Sequence, residues 1–428
     1  MRRYTRVPGF CHVLPAREAL DMGLGPRAAV LASVVTVALA TTPVGAAAQA
    51  GAAADDTAAG WLARQLINGE HVESTPTFPD FGLTADVVFA LDAAGVASDA
   101  SGKAAAFLAK PDNVLEYVGD GAAESYAGPL AKLALVAESR GVDPKSFGEV
   151  DLITELGELQ APSGRYTDAS TQPDQSNAFS QALAVLALHR AGGAPVKAVE
   201  FLAGSACQDG GFPIDFDEAC VSDVDATAIT VQALVAAGST DAATAALTWL
   251  VGKQSAAGGF KANLPGSVDN ANSTGLAAQA LRAGGKTAEA DKAATFLTGL
   301  QQGCTAAEAV RGAIFYAPGQ SENAVRATSQ AIPGILGISY AKVSAVGASN
   351  ALPTVDCTTP TTTTTTSSAI NPVVNPGGNN TNPVPQGGNS PALAATGTYR
   401  PSVTWLGVLL LLSGGALVVL ARRRPSTR

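Results

Sequence analysis

The run Ser222–Ala228, SDVDATA, places two carboxylates, Asp223 and Asp225, two residues apart. Such a pair can raise one member's proton affinity, cap a helix, or ligate a hard cation. The pair also belongs to a recurring pattern. Counting 11 residues back from the leucine of each repeated Ala-Leu pair, or from Ile332 in the last copy, reaches Asp80, Glu124, Asn177, Asp223, Asn270 and Ser321. Counting nine back reaches Gly82, Tyr126, Phe179, Asp225, Asn272 and Asn323. Asp, Asn and Ser are the favoured residues at helix starts, so capping explains much of the first column. Capping does not ask Asp225, Asn272 and Asn323 to be polar as well. Two polar positions per helix start suggest a ligand site, with Asp80, Tyr126, Asn177, Phe179, Asp223, Asp225, Asn270, Asn272 and Asn323 as its candidate residues.

Six carboxylates, Asp209, Asp215, Asp217, Glu218, Asp223 and Asp225, also fall close together. Carboxylate oxygens are calcium's preferred ligands, but no EF-hand spacing is present, and a solvated acidic loop is the simpler expectation. Residues 1–50 and 397–428 each hold five Arg, which leaves 17 basic and 34 acidic residues in the middle. A body this acidic repels phosphate backbones, which excludes nucleic acid as an expected partner.

The elements that would position these groups repeat. Short apolar helices are predicted at Ala59–Leu66, Ala104–Leu108, Leu152–Leu159, Ala198–Leu202, Ala246–Val251 and Ala293–Leu300. The markers Trp61, Phe107, Phe201, Trp249 and Phe296 are 46, 94 (two units), 48 and 47 residues apart. A period near 47 in helical sequence means paired helices stacked side by side. The second helix of each pair ends at a glycine after its Ala-Leu pair: Gly95, Gly141, Gly192, Gly238 and Gly284. In the sixth copy, Gln330–Gly337, Pro333 alters the pattern.

Three units join their helices by links of fixed form: QAPSGRY (Gln160–Tyr166), QSAAGGF (Gln254–Phe260) and the variant ACQDGGF (Ala206–Phe212). This pattern resembles the repeat of the terpenoid cyclase and prenyltransferase superfamily. The resemblance covers about 290 residues. It implies an all-α fold, the α6/α6 toroid: a closed barrel of six helical hairpins spanning residues 51–357, whose inner helices start around one mouth. The run SDVDATA also resembles the Asp-x-Asp-Asp-Thr-Ala motif of hopene cyclases. By that match Asp225 would be the proton donor, although Ala226 replaces the third aspartate. Other chemistries of the superfamily find no support. Prenyltransferase zinc needs Asp, Cys and His together, and the complement thioester needs glutamine three residues after cysteine, where Ala307 follows Cys304.

The ends read as addresses. Residues 1–50 are expected to be a secretory signal peptide, with Arg27, an apolar run Ala28–Ala40, cleavage after Ala50 and Met22 as a possible true start. Residues 358–390 are a Thr/Pro/Gly/Asn-rich stretch with little to bury, expected to be a disordered stalk. Within 391–428, a charge-free run at Val403–Ala421 followed by Arg422, Arg423 and Arg424 is expected to be one transmembrane helix in the precursor. Before it, Leu393, Ala394, Ala395, Thr396 and Gly397 resemble the sorting signal of Gram-positive surface proteins, which implies a sortase and peptidoglycan as partners and a cell-wall location. Export would leave four cysteines, Cys207, Cys220, Cys304 and Cys357. Three disulfide pairings are possible, and sequence neighbours favour Cys207–Cys220 with Cys304–Cys357. Together these features describe a surface domain that binds a small-molecule or surface ligand in its central cavity without a cofactor. The alternative is a terpene-cyclase-like enzyme using Asp225.

Overall fold

A computed structural model describes residues 53–216 and 219–358. The signal peptide, stalk, sorting signal and transmembrane run predicted from sequence lie outside these residues. Among the described residues, no helix is long and apolar enough to cross a membrane.

Six helices form an inner ring: α2 (Phe81–Ala94), α5 (Ala127–Ser139), α7 (Ala178–Arg190), α9 (Val224–Ala236), α11 (Ala271–Ala283) and α13 (Ala324–Leu336). Each packs against the next, and α13 packs back on α2, so the ring is closed. Outside it lie α1 (Ala54–Ala63), α3 (Ser98–Leu108), α6 (Leu152–Glu158), α8 (Val196–Gly204), α10 (Thr240–Lys253) and α12 (Thr287–Gly299), with α4 (Pro111–Val118) as an extra outer helix beside α5. The α/α toroid expected from the repeat is the fold observed.

Burial follows from position. α2 is buried from Phe81 through Asp92, because an inner helix is covered by a neighbour on each flank and an outer helix behind. In contrast, α12 buries only Ala290, Ala293 and Leu297, a single stripe at helical spacing. Small residues set the approach of the inner helices: a Cβ at Gly275 on α11 would stand 2.2 Å from the Gln330 carbonyl oxygen on α13. Alanine there would push these two helices apart.

The links explain their own motif. Gly164, Gly210, Gly258 and Gly312 have φ of +92 to +95°, a region L-residues avoid. A Cβ at Gly164 would also lie 2.0 Å from the Lys197 carbonyl oxygen of the next outer helix. The Gln254 amide donates to the Gly258 and Glu289 carbonyls, tying its link to α12. Gln301 does the same across the seam, reaching Ala54, Thr57 and Gly312, so the last link grips the first helix.

After α13 the chain crosses the far end of the ring. The Tyr340 ring meets Phe89 of α2 edge-on at 5.1 Å, while the Tyr340 N–H donates to Gln232 Oε1 of α9. Arg190 donates to the Tyr340 and Val343 carbonyls, and the chain then bonds to Ser139 and Gly95 at the ends of α5 and α2. It finishes at the Cys304–Cys357 disulfide, and Cys207–Cys220 forms as well. Both pairings are those that sequence neighbours favoured, and they fit an oxidising, exported setting.

Candidate functional site at the ring mouth

The inner-helix N-termini gather at the mouth, and most of the first column caps them. Asp80 Oδ1 accepts from Leu83 N at 2.8 Å, Asn177 from Phe179 N and Ser180 N, and Asn270 from Ser273 N. Asp223 Oδ1 accepts from Asp225 N and Ala226 N, while its Oδ2 accepts from Asn263 N. These four residues bring their side chains to helix starts as the sequence implied.

Two copies differ in register. Tyr126, expected in the second column, occupies the N-cap position of α5 without a capping bond, and its hydroxyl donates to Glu124 Oε2. The α5 cap instead comes from the following link, where Asp168 Oδ1 accepts from Ala127 N at 2.9 Å. Burial and the nearby Asp174 push the Asp168 carboxyl up to about 6. In the sixth copy Asn323 sits at the helix start in left-handed conformation (φ 59°) and caps nothing. The count slips there because Ile332 stands eight residues from the start of α13, where the marker leucines of α2, α7, α9 and α11 stand ten from theirs.

A column the leucine count did not single out restores the register. The hydroxyls of Thr84, Thr227, Thr274 and Thr328 accept the N–H of Val72, Phe212, Phe260 and Ile314, and Gln181 Oε1 does the same for Tyr166. Each pins a link to the inner helix that follows it. Measured from Thr328, the residue matching Asp225 and Asn272 is Arg326, which reaches Asp80 Oδ2 at 3.4 Å across the seam. Desolvation raises the Asp80 carboxyl, and Arg326 opposes that rise.

Residues spaced i, i+4 and i+7 share a helix face, which sorts the lumen into layers. The rim consists of Gly82, Gly128, Phe179, Asp225, Asn272 and Arg326. Below it lie Asp86, Lys132, Leu183, Ile229, Leu276 and Gln330, then Phe89, Leu135, Leu186, Gln232, Gln279 and Pro333. In the middle layer Asp86, Lys132, Leu183, Leu276 and Gln330 keep 5–8% exposure, whereas Gln232 is 1% exposed and Gln279 0%. The middle layer is thus nearly closed and the layer of Gln232 and Gln279 is sealed, with Tyr340 packed against Phe89 below it. The interior of the ring is charged on one wall by the Lys132–Asp86 ion pair (2.6 Å) and apolar on the other at Leu183, Ile229 and Leu276.

Asp225 stands on the apolar side. Burial first, and the neighbouring Asp223 second, push its carboxyl up to about 7, although the Ser273 hydroxyl favours the charged form. Its Oδ1 is buried without a hydrogen-bond partner in the protein, as is Asn272 Oδ1. A carboxyl near neutrality can donate or accept a proton at ordinary pH. Alkene protonation needs a much stronger acid, and the site of the missing third aspartate, Ala226, is fully buried.

Among the described residues, no group of three or more His, Cys, Asp or Glu is arranged to hold a metal. Asp217 and Glu218 of the acidic cluster lie outside them. Asp209 spends its oxygens on the Trp249 ring N–H, the Ser222 hydroxyl and Gly211 N.

No protein-family model matches the chain, and no curated protein matches it either. Among solved structures, the chain is similar to a protein from Actinoplanes at 18% identity and TM-score 0.49, covering 66% of this chain and 98% of that one. It is also similar to a glycosidase in complex with glucose (13%, TM-score 0.44, covering 66% and 95%). A third is the ent-copalyl diphosphate synthase from Streptomyces platensis (15%, TM-score 0.42, 60% of this chain), of which the chain spans about half. At these scores the likenesses carry no functional argument, and the fold rests on the closed helix order itself.

Proposed function

We propose that this protein is an exported, wall-anchored toroid that binds a small molecule at its ring mouth. The observation that carries the reading is the gathering of Asp225, Asn272 and Arg326 at the rim, each with a buried polar atom that has no hydrogen-bond partner. Orphaned buried polar atoms are uncommon in folded proteins, and a rim that collects three of them suits a polar guest. The fold supplies rigid helix ends to hold them. Native mass spectrometry of the protein released from cells should show a bound small molecule that Asn272→Leu loses. Identical masses under native and denaturing conditions, with no species retained from a metabolite extract, would remove the reading.

Anchoring is supported by Leu393–Gly397 ahead of the apolar run and the basic tail. We expect Thr396 to be joined to peptidoglycan, with Thr396→Ala leaving the protein in the membrane fraction. Full extraction of the wild type by mild detergent would refute sortase attachment.

A second reading, catalysis through Asp225, is favoured by the match of Asp223, Asp225, Thr227 and Ala228 to the Asp-x-Asp-Asp-Thr-Ala motif. Cyclised product from a linear polyprenyl substrate that disappears in Asp225→Asn would establish it, because an amide cannot supply the proton.

A further inference from the structure

The geometry points to a covalent fastening besides the two disulfides: an isopeptide bond between Lys132 of α5 and Asp86 of α2, formed by condensation of the ion pair inside the ring. It does not depend on any guest at the mouth.

The reactants are already in place. Lys132 Nζ lies 2.6 Å from Asp86 Oδ1, and the two side chains are only 8% and 6% exposed. A nitrogen that close to a carboxylate oxygen stands about 3–3.5 Å from the carboxyl carbon, the separation from which bonds form. The terminal torsion of aspartate is broad, so the carboxyl can turn its face to the nitrogen without leaving its rotamer. Two groups held in such a geometry act at an effective concentration of about 10⁵–10⁸ M, which outweighs the excess of water that drives the reverse reaction in solution. Keeping two charges away from water is costly, and condensation removes both.

The step balances without a co-reactant. Proton transfer from the ammonium to the carboxylate gives a neutral amine and a neutral acid. The Nζ lone pair then attacks Asp86 Cγ, and the hydroxyl leaves with a proton from the nitrogen. One N–H and one C–O bond break, one N–C and one O–H bond form, nothing is oxidised or reduced, and the co-product is a single water.

Two neighbours suit this chemistry. The Tyr117 hydroxyl of α4 is buried without a hydrogen-bond partner. Burial first, then the charges of Asp86 and Asp80, push its phenol up, so it stays a donor beside the carbon under attack, where an oxyanion develops. Asp80 feels the charges of both Lys132 and Asp86, and burial raises its carboxyl, which lets it hold a proton in transit. On the far-end side stands Tyr340, also pushed up by burial and by Asp86, with its ring edge-on to Phe89. The bond falls at the weakest junction of the ring. α2 and α5 share the slimmest contact of any two inner neighbours, and α3 and α4 are inserted between them in the chain.

Peptide mapping of the protein released from cells tests the bond. After reduction and tryptic digestion, cleavage at Lys132 should be absent, and the segments holding Asp86 and Lys132 should run as one branched species lighter than their sum by one water. Two separate, unmodified peptides after prolonged incubation of the folded protein would overturn the inference, as would a bond from Lys132 to any other residue. The double variant Asp86→Leu with Lys132→Met gives an independent reading. Exchanging a mere buried ion pair for apolar groups is neutral or stabilising, whereas losing a cross-link should lower the melting temperature. Tyr117→Phe and Asp80→Asn, the latter keeping a side chain that caps α2, should each slow the appearance of the linked species tenfold or more after a pulse of synthesis. Linkage at the wild-type rate in both would remove the roles given to these two neighbours.

Discussion

The two ends of the ring each hold a carboxyl that burial pushes up to about 7, Asp225 at the mouth and Glu138 at the far end, yet the two sit in opposite surroundings. Glu138 faces Arg190 at 3.4 Å, and Arg190 also holds the Tyr340 and Val343 carbonyls of the crossing tail. Asp225 faces Asp223 and, one helix on, Asn272. At the far end a cation is already in place and the chain itself fills the opening. At the mouth the Ser273 hydroxyl reaches Asp225, but no cation faces it. A displaced proton affinity therefore does not identify a site by itself; what surrounds it decides between a fastening and a receptor.

The largest effect that would sharpen this contrast comes from the tail that crosses the far end, whose closing disulfide fastens it to the α12–α13 link. Replacing Cys304 and Cys357 by Ser releases a loop of separation 53 and should cost about 4 kcal/mol by chain entropy, read in denaturant melts. Next, Arg190→Ala strips the tail of two carbonyl bonds and leaves Glu138 unpaired, with an expected loss of about 3 kcal/mol. Limited proteolysis between residues 338 and 357 should accelerate in that variant. If cutting instead appears first at the mouth links, the far end is not the strapped one.

The smallest effect is a pH slope. Asp225 and Glu138 bind protons more tightly folded than unfolded, so the folded protein holds extra protons between about pH 4 and 7. Stability should fall as pH rises through that window. Asp225→Asn should flatten the slope and leave the variant more stable than wild type above pH 7. Glu138→Gln should flatten it too but gain less, because it also removes the charge that Arg190 faces. Melting temperatures from pH 4 to 8 distinguish them, and an unchanged slope in Asp225→Asn would mean that the rim carboxyl is fully hydrated.

Much of this was legible in the chain. The period near 47, the glycines of the links and the capping residues Asp80, Asn177, Asp223 and Asn270 each follow from local backbone needs that a sequence displays. The disulfide pairing followed from proximity along the chain. What failed was register. Counting back from a leucine assumes that the marker stands equally far from every helix start, and it stands ten residues in on α2, α7, α9 and α11 but eight on α5 and α13. The signal that corrects it, threonine at 84, 227, 274 and 328, was present but requires knowing that a hydroxyl pins each link. The rim arginine, Arg326, was hidden by the same slip. The tail's role had no signature, because residues 337–357 close the floor by single contacts without period, and the cap that Asp168 lends to α5 joins positions 41 residues apart.

The seam between the first helix and the last has a consequence in time. Trp61 of α1 donates to the Ala309 carbonyl, and Gln301 grips Ala54, so the opening segment is held by residues nearly 250 positions downstream. Such contacts must wait for the whole intervening chain, and they belong to the slow, late part of folding. An emerging chain therefore carries α1 and α2 with their apolar flanks uncovered until α13 arrives. The ring is finished in one closing event rather than grown unit by unit, and a truncation before α13 leaves a circle that never shuts.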